Sequence, residues 1–169
     1  MGTDKALVEV DGQAMVLRVT EALRATGATE VACIGGNPQA LGSLGLVVVD
    51  DEWPGQGPLG GLTTALGWSN EPTVLVAGCD QPWLDAPTLG ALVEAHRANR
   101  AMATVYGLEG TPQPLPGVYD ADLRPGLLVG LTGGQRALSF ALRLADATVV
   151  RVADPRRVRD VDRPQDLSP

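Results

Sequence analysis

Short apolar runs recur along this chain, most of them ending in or followed directly by glycine or a carboxylate, and amphipathic stretches fill the intervals between them. The runs are Glu30 to Ile34, Leu46 to Asp50, Thr73 to Gly78, Met102 to Tyr106, Leu115 to Tyr119 and Thr148 to Val152. Their length and valine content predict strands, and the continuous runs at Leu46 to Asp50 and Thr73 to Gly78 predict strands covered on both faces. Between Gln13 and Thr26 the apolar residues Met15, Val16, Val19 and Leu23 share one helical face, and Gly27 stops the helix. Asp85 is placed to cap another helix, with Pro87 in its first turn and Leu89, Leu92 and Val93 as its apolar stripe. His96 extends that stripe and reads as a partly buried packing residue. Leu62 to Trp68, Asp122 to Leu131 and Gln135 to Leu144 read as further helices, Leu7 to Val10 as a short extended piece turned by Asp11-Gly12, and Pro164 as the start of a short terminal helix. Strands alternating with helices predict an α/β fold of three layers, α/β/α, around a mostly parallel sheet. Such sheets hold ligands at the carboxyl ends of their strands.

One domain accounts for the 169 residues. Only 4% are aromatic, so Val, Leu and Ala must build the core. A net charge of -7 argues against nucleic acid, which needs a basic face. A single nucleotide is compatible with that charge, because one magnesium ion and one lysine suffice for a triphosphate. No apolar run reaches the roughly 18 residues that span a bilayer, and no signal-peptide pattern opens the chain. Gly2 begins a myristoylation pattern that Ala6 interrupts. A soluble, cytoplasmic protein without membrane contact is the expectation. Cys33 and Cys79 lack CxxC spacing and read as buried free thiols of a reducing compartment. With one histidine, a zinc site is not expected.

Three predicted strand ends carry polar groups: Gly35-Gly36-Asn37, Asp50 with Asp51, and Asp80. Each alone suits a turn or a cap. Together, on strands expected to be neighbours, they point to a pocket. The segment Gly55-Gln56-Gly57-Pro58-Leu59-Gly60-Gly61-Leu62 precedes a helix and has two readings of equal standing. It is either a turn with a cap, or a loop whose backbone N–H groups approach a ligand. It is not a P-loop, lacking GxxxxGK[ST]. Lys5 taken alone is a surface charge. Asp160 and Asp162 form a D-x-D pair whose carboxylates can meet one cation or simply be solvated. Arg156, Arg157 and Arg159 read as a solvated loop able to meet an anionic substrate.

In order, these segments resemble the molybdenum cofactor guanylyltransferases. Met1 to Leu7 with Gly12 is similar to their RMGxDKxLLxxxG, and Ile34 to Asn37 to ISGN. Val49-Asp50 with Gly57 to Leu62 is similar to VxxD…GPLAGL. Cys79 to Leu84 resembles PCDMPFL, Gln113 to Tyr119 resembles PLPALY, Gly133 to Leu138 resembles GxRSL, and Asp160 to Leu167 resembles NVNTPEDL. The similarity runs over nearly the whole chain. It implies a nucleotide-diphosphosugar transferase topology and transfer of GMP from GTP to the phosphate of molybdopterin, with magnesium as cofactor and pyrophosphate released. By matching position, the resemblance implies that Lys5 contacts the nucleotide phosphates and that Asp80 binds magnesium and nucleotide. Gly35, Asn37, Asp50, Gly60 and Gly61 are implied on the nucleotide side. Asp162 is implied as second metal ligand, where the family more often has Asn. The family pattern opens with a strand, normally central in the sheet, and a LAGGxSxR phosphate loop ahead of the matched Met1-Gly2. Residues 1–169 therefore read as a single, N-terminally incomplete nucleotidyltransferase domain.

Rival readings stand beside this one. Gln81 resembles the cytidylyltransferases acting on the same cofactor, whose members read GDQP. A deazaflavin-pathway guanylyltransferase is more remote. A catalytically inactive scaffold, in contact with a molybdoenzyme or its chaperone, is the alternative from another class.

Overall fold

The computed structural model of the chain describes residues 5–161, and its elements follow the expected alternation. A 3-10 turn, Lys5–Leu7, leads into a small hairpin of β1 (Glu9–Val10) and β2 (Gln13–Ala14), and helix α1 follows at Met15–Ala25. Strand β3 (Ala32–Ile34), helix α2 (Pro38–Ser43) and strand β4 (Val47–Val49) form a strand–helix–strand unit in which the two strands pair in parallel. Next come α3 (Pro58–Trp68), β5 (Thr73–Val76), α4 (Ala86–Asn99), β6 (Ala103–Leu108) and β7 (Thr111–Asp120). Helices α5 (Arg124–Thr132) and α6 (Ser139–Leu144) and strand β8 (Thr148–Arg151) complete the described chain, followed by a 3-10 turn at Pro155–Val158. The predicted terminal helix at Pro164 lies outside the described residues.

Four strands make the larger sheet, in the order β5-β7-β6-β8. β5, β6 and β8 share one direction, and β7 alone runs against them. The hairpin between β6 and β7 explains that exception, since a two-residue turn joins only antiparallel strands. Alternation along the strands separates two cores. Val74, Val76, Ala103, Val105 and Tyr119 face Leu59, Leu62 and Leu66 of α3 and Leu127 and Leu131 of α5. Leu75, Tyr106, Val118 and Val150 face Leu89 and Leu92 of α4 and Val19 of α1. The three-layer α/β/α arrangement follows, and the core rests chiefly on Leu, Val and Ala as composition requires. No helix among the described residues is long and apolar enough to cross a membrane.

The β3–β4 pair forms a separate sheet, packed on α2 and the first turn of α1 through Leu41, Leu46 and Val16. Between β3 and β5 runs an open groove of about 1070 Å³, with residues of α1, α3 and α4 along its sides. Two expectations about burial are corrected. β4 is not covered on both faces, since Val47 is 51% exposed at the outer edge. β5 is only half-buried, because its edge away from β7 faces the groove. The cysteines differ from expectation because of the groove. Cys33 and Cys79 both line the groove, Cys33 half-buried and Cys79 exposed. Burial raises the Cys33 thiol pKa, partly offset by Arg24, so that thiol is a poor nucleophile.

Candidate functional site

The residues expected to carry chemistry follow the strands at one end of the fold. β5 runs out through Gly78 and Cys79 to Asp80, whose carboxylate Oδ2 accepts a hydrogen bond from Lys5 Nζ at 3.0 Å. The pair is partly exposed, about one-third for each side chain, so it is reachable from solvent. Sequence distance hides this contact, since 75 positions separate the partners. The β1–β2 hairpin and α1 bring Lys5 there. Arg18 of α1 donates from Nε to the Pro82 carbonyl at 3.0 Å and from Nη1 to the Val10 carbonyl at 3.3 Å, tying the hairpin to the segment after Asp80.

Gln81 fixes that segment from within. It is 1% exposed and its amide is fully bonded. Oε1 accepts from the Gly78 N–H at 3.0 Å, and Nε2 donates to the carbonyls of Leu115 and Val158 at 3.0 and 3.1 Å. One side chain thus joins the end of β5, the middle of β7 and the turn after β8. The Val161 N–H adds a bond to the Asp80 carbonyl at 2.8 Å. Residue-by-residue reading missed this role. Gln81 looked like a mark of nucleotide choice, yet its amide is turned inward to backbone groups. Asp162, expected as second metal ligand, lies outside the described residues.

On the other flank, Gly35 and Gly36 take φ values of +70° and +87° directly after β3. Two successive left-handed residues suit glycine, and a Cβ on Gly36 would sit 2.8 Å from Leu41 Cδ1. The Gly35 N–H continues the ladder to the Val49 carbonyl at 2.8 Å. Asn37 is exposed and caps α2, its Oδ1 accepting from the N–H groups of Gln39 and Ala40 at 3.0 Å each. Asp50 is exposed at the end of β4. Asp51 is engaged locally: Oδ1 accepts from the Trp53 N–H and the Thr64 hydroxyl, both at 2.9 Å.

The glycine-rich segment also differs from expectation. Helix α3 begins at Pro58, four residues earlier than predicted, so Gly60 and Gly61 are helical. Proline at the first helical position after Gly57, at φ +71°, sets that start. The N–H groups of the first turn are already satisfied, Leu59 by the Arg136 carbonyl at 3.1 Å and Gly60 by Gly57 at 3.0 Å. Gly60 is packed against Trp53, where a Cβ would lie 3.0 Å from Trp53 Cβ. Gly61 faces the groove, with nothing near its missing Cβ. Of the two readings of this segment, the capped turn describes Gly60, and Gly61 alone retains open space. The groove also gathers Gly35, Gly36 and Cys79.

Two side chains outside the expected site carry buried polar chemistry. His96, 5% exposed, contacts Thr104 Oγ1 at 3.1 Å through Nδ1 and Asp120 Oδ1 at 3.0 Å through Nε2. It pins α4 to β6 and β7, a larger role than packing on a helix stripe. Arg124 donates to Glu52 Oε2 at 2.7 Å and to the Thr63 carbonyl at 3.3 Å, holding α5 against the loop after β4.

Asp80 offers hard carboxylate oxygens at a solvent-accessible strand end. Among the described residues no group of three or more His, Cys, Asp or Glu side chains converges as a metal cage. This donor set suits an ion that takes one or two carboxylates and completes its shell with water and phosphate oxygens, as magnesium does.

Comparison with known proteins agrees with the geometry. A family model described as a MobA-like NTP transferase domain matches residues 1–150. A molybdenum cofactor guanylyltransferase of Shewanella sp. (strain MR-4) is 30% identical over 166 residues, covering 97% of this chain and 84% of the relative. A probable molybdenum cofactor guanylyltransferase of Deinococcus radiodurans is 29% identical over 167 residues, covering 99% and 85%. Among solved structures, the molybdopterin-guanine dinucleotide biosynthesis protein A of Archaeoglobus fulgidus superposes with a TM-score of 0.81 at 18% identity, covering 98% of this chain and 88% of the other.

Proposed function

Because the chain belongs to the MobA-like NTP transferase family of nucleotidyltransferases, we propose that it transfers GMP from GTP to the terminal phosphate of molybdopterin. The observation that carries this reading is the Lys5–Asp80 pair at 3.0 Å, held at a strand end by Gln81 and Arg18. The similar proteins that are named as molybdenum cofactor guanylyltransferases supply the choice of GTP and of acceptor.

In this reaction an acceptor phosphate oxygen bonds to the α-phosphorus of GTP as the bond to the β-phosphate oxygen breaks. The products are the dinucleotide and pyrophosphate. The attacking phosphate is already ionised near neutral pH, so no general base is needed. Positioning and charge compensation then carry the catalysis. The Lys5 ammonium offsets charge on the nucleotide phosphates, and its bond to Asp80 holds it in place. Asp80, with Asp162, is the group that would hold Mg2+, which when bound draws charge from the phosphate oxygens and orients them. Gly35, Asn37 and Asp50 serve the guanosine side. Gly61 borders the same groove, while Gly60 acts through packing.

Turnover of GTP and CTP with molybdopterin, with and without Mg2+, tests this. The expected outcome is a kcat/KM for GTP at least about tenfold above that for CTP, lost on chelation. Preference for CTP would move the chain to the cytidylyl branch. Calorimetry finding no binding of GTP with magnesium, in a folded sample, would favour an inactive scaffold.

A further inference from the structure

We propose that Arg151 and Arg159 form the subsite for the acceptor's phosphate group, in a pocket on the same edge of the sheet as the Lys5–Asp80 pair. The proposal rests on the transfer reaction above and assigns the half of the substrate pair that the Lys5 and Gly35 side leaves unplaced.

The pocket, of about 750 Å³, lies between the β6–β7 turn and the segment after β8, with Arg151 and Arg159 on its lining. It sits at the carboxyl ends of β6 and β8, which run parallel to β5, so it shares the edge of the sheet from which Asp80 emerges. The link to the site is covalent and short. Arg159 follows Val158, whose carbonyl accepts from Gln81, and precedes Val161, whose N–H donates to the Asp80 carbonyl, by two residues. Two residues of extended chain span at most about 7 Å. Gln113, on the opposite wall, is two residues from Leu115, the other Gln81 partner.

Six of the eleven described arginines have no carboxylate partner among the described residues, and two of these six, Arg151 and Arg159, lie together on the lining of this pocket. Arg18, Arg97, Arg124, Arg156 and Arg157 all have carboxylate partners, at Asp11, Glu94, Glu52, Asp154 and Asp85. Arg151 and Arg159 have none among the described residues, although the chain carries a net charge of -7. Two unpaired guanidinium groups on one concave surface of an acidic protein make a local anion site, suited to bidentate recognition of phosphate. Thr111 adds a hydroxyl, and Gly110 leaves the turn without a side chain, with nothing near its missing Cβ. Glu109 is the one acidic residue on the lining. Its carboxylate opposes a dianion, so the site is tuned toward moderate affinity.

The test uses Arg159→Gln, Arg151→Gln and the double variant. Both residues are exposed and without side-chain partners, so the fold should persist. In the transfer assay KM for the acceptor is expected to rise about tenfold for each substitution, with KM for GTP unchanged within about twofold. Arg159→Lys should fall between wild type and Arg159→Gln, since it keeps the charge and loses the fork. An unchanged acceptor KM, or equal changes for both substrates, overturns the assignment. If the wild-type chain transfers nothing, the reaction assigned above fails, and titration with inorganic phosphate decides the subsite separately. Saturable shifts of the Arg151 and Arg159 Nε–H resonances, absent in the double variant, support it, and no shifts overturn it.

Discussion

The two flanks of the molecule carry the same kind of sequence and bury it to different degrees. On one flank, β6 and β7 lie between two helical layers, and Val105, Val118 and Tyr119 are fully enclosed. On the other, the valines of β4 have α2 on one face and solvent at the outer edge. Each flank ends in an aspartate: Asp51 beyond β4 and Asp80 beyond β5. Asp51 is held inside its own loop by Thr64 and Trp53. Asp80 reaches across 75 positions to Lys5. The comparison teaches that a valine run specifies a strand, and neighbours decide whether that strand is core. It also separates two settings of one residue type, since Asp51 is bonded within its own loop and Asp80 pairs with a distant lysine at a partly exposed strand end.

The largest effect that could break this contrast is kinetic. Asp80→Ala is expected to lower kcat/KM for guanylyl transfer by about 100-fold to 1,000-fold, as removal of a key electrostatic group does. Asp51→Ala should cost less than about tenfold in rate and appear mainly as reduced stability. Equal, small rate effects would remove Asp80 from the chemistry. The next effect is on stability. Leu127→Ala, in the fully buried layer, should destabilise by about 2 to 5 kcal/mol. Val48→Ala, half-buried in β4, should cost about 1 kcal/mol. Urea denaturation of both variants checks the ratio, and similar values would mean that the β3–β4 flank is as tightly built as the larger sheet.

The smallest effect concerns pH. Burial acts to raise the Asp85 carboxyl pKa, but the hydroxyl and N–H of Thr88 and the guanidinium of Arg157 outweigh it, leaving the pKa below its usual value. The lowered folded-state pKa means that this stabilisation is complete above the unfolded value near 4 and is lost as pH falls through the folded value. Asp85→Ala should therefore cost about 1 kcal/mol at pH 7, as loss of a helix cap does, and progressively less in acid. Denaturation midpoints of wild type and variant should converge below about pH 4. A constant gap would show that the cap acts without its charge.

Much of the fold was legible because its signals are local. Asp85 with Pro87 marks the start of α4, and the helix begins at Ala86 with the Thr88 N–H on Asp85 Oδ1 at 2.9 Å. Gly35-Gly36 marks a turn only glycine enters easily. The start of α3 was misplaced although its signal was present, since Pro58 after a glycine is a helix opening. What stayed hidden depends on distant partners. The Arg136 carbonyl that caps α3, the three backbone bonds of Gln81 and the partners of His96 leave no periodic trace. A polar residue that satisfies buried backbone has the same letter as one that meets solvent or ligand.

The sequence by itself determined the order of strands and helices apart from α2, the aliphatic core and the ordered series of motifs that places the chain in its family. Those properties follow from side-chain periodicity and backbone preference within a few residues. Only the tertiary structure decided which valines are enclosed, which aspartate pairs with a distant lysine, that Gly60 packs while Gly61 faces the groove, and that Arg151 and Arg159 line one pocket. Each of these depends on atoms brought together from far apart in the chain, and burial and charge pairing are properties of that proximity.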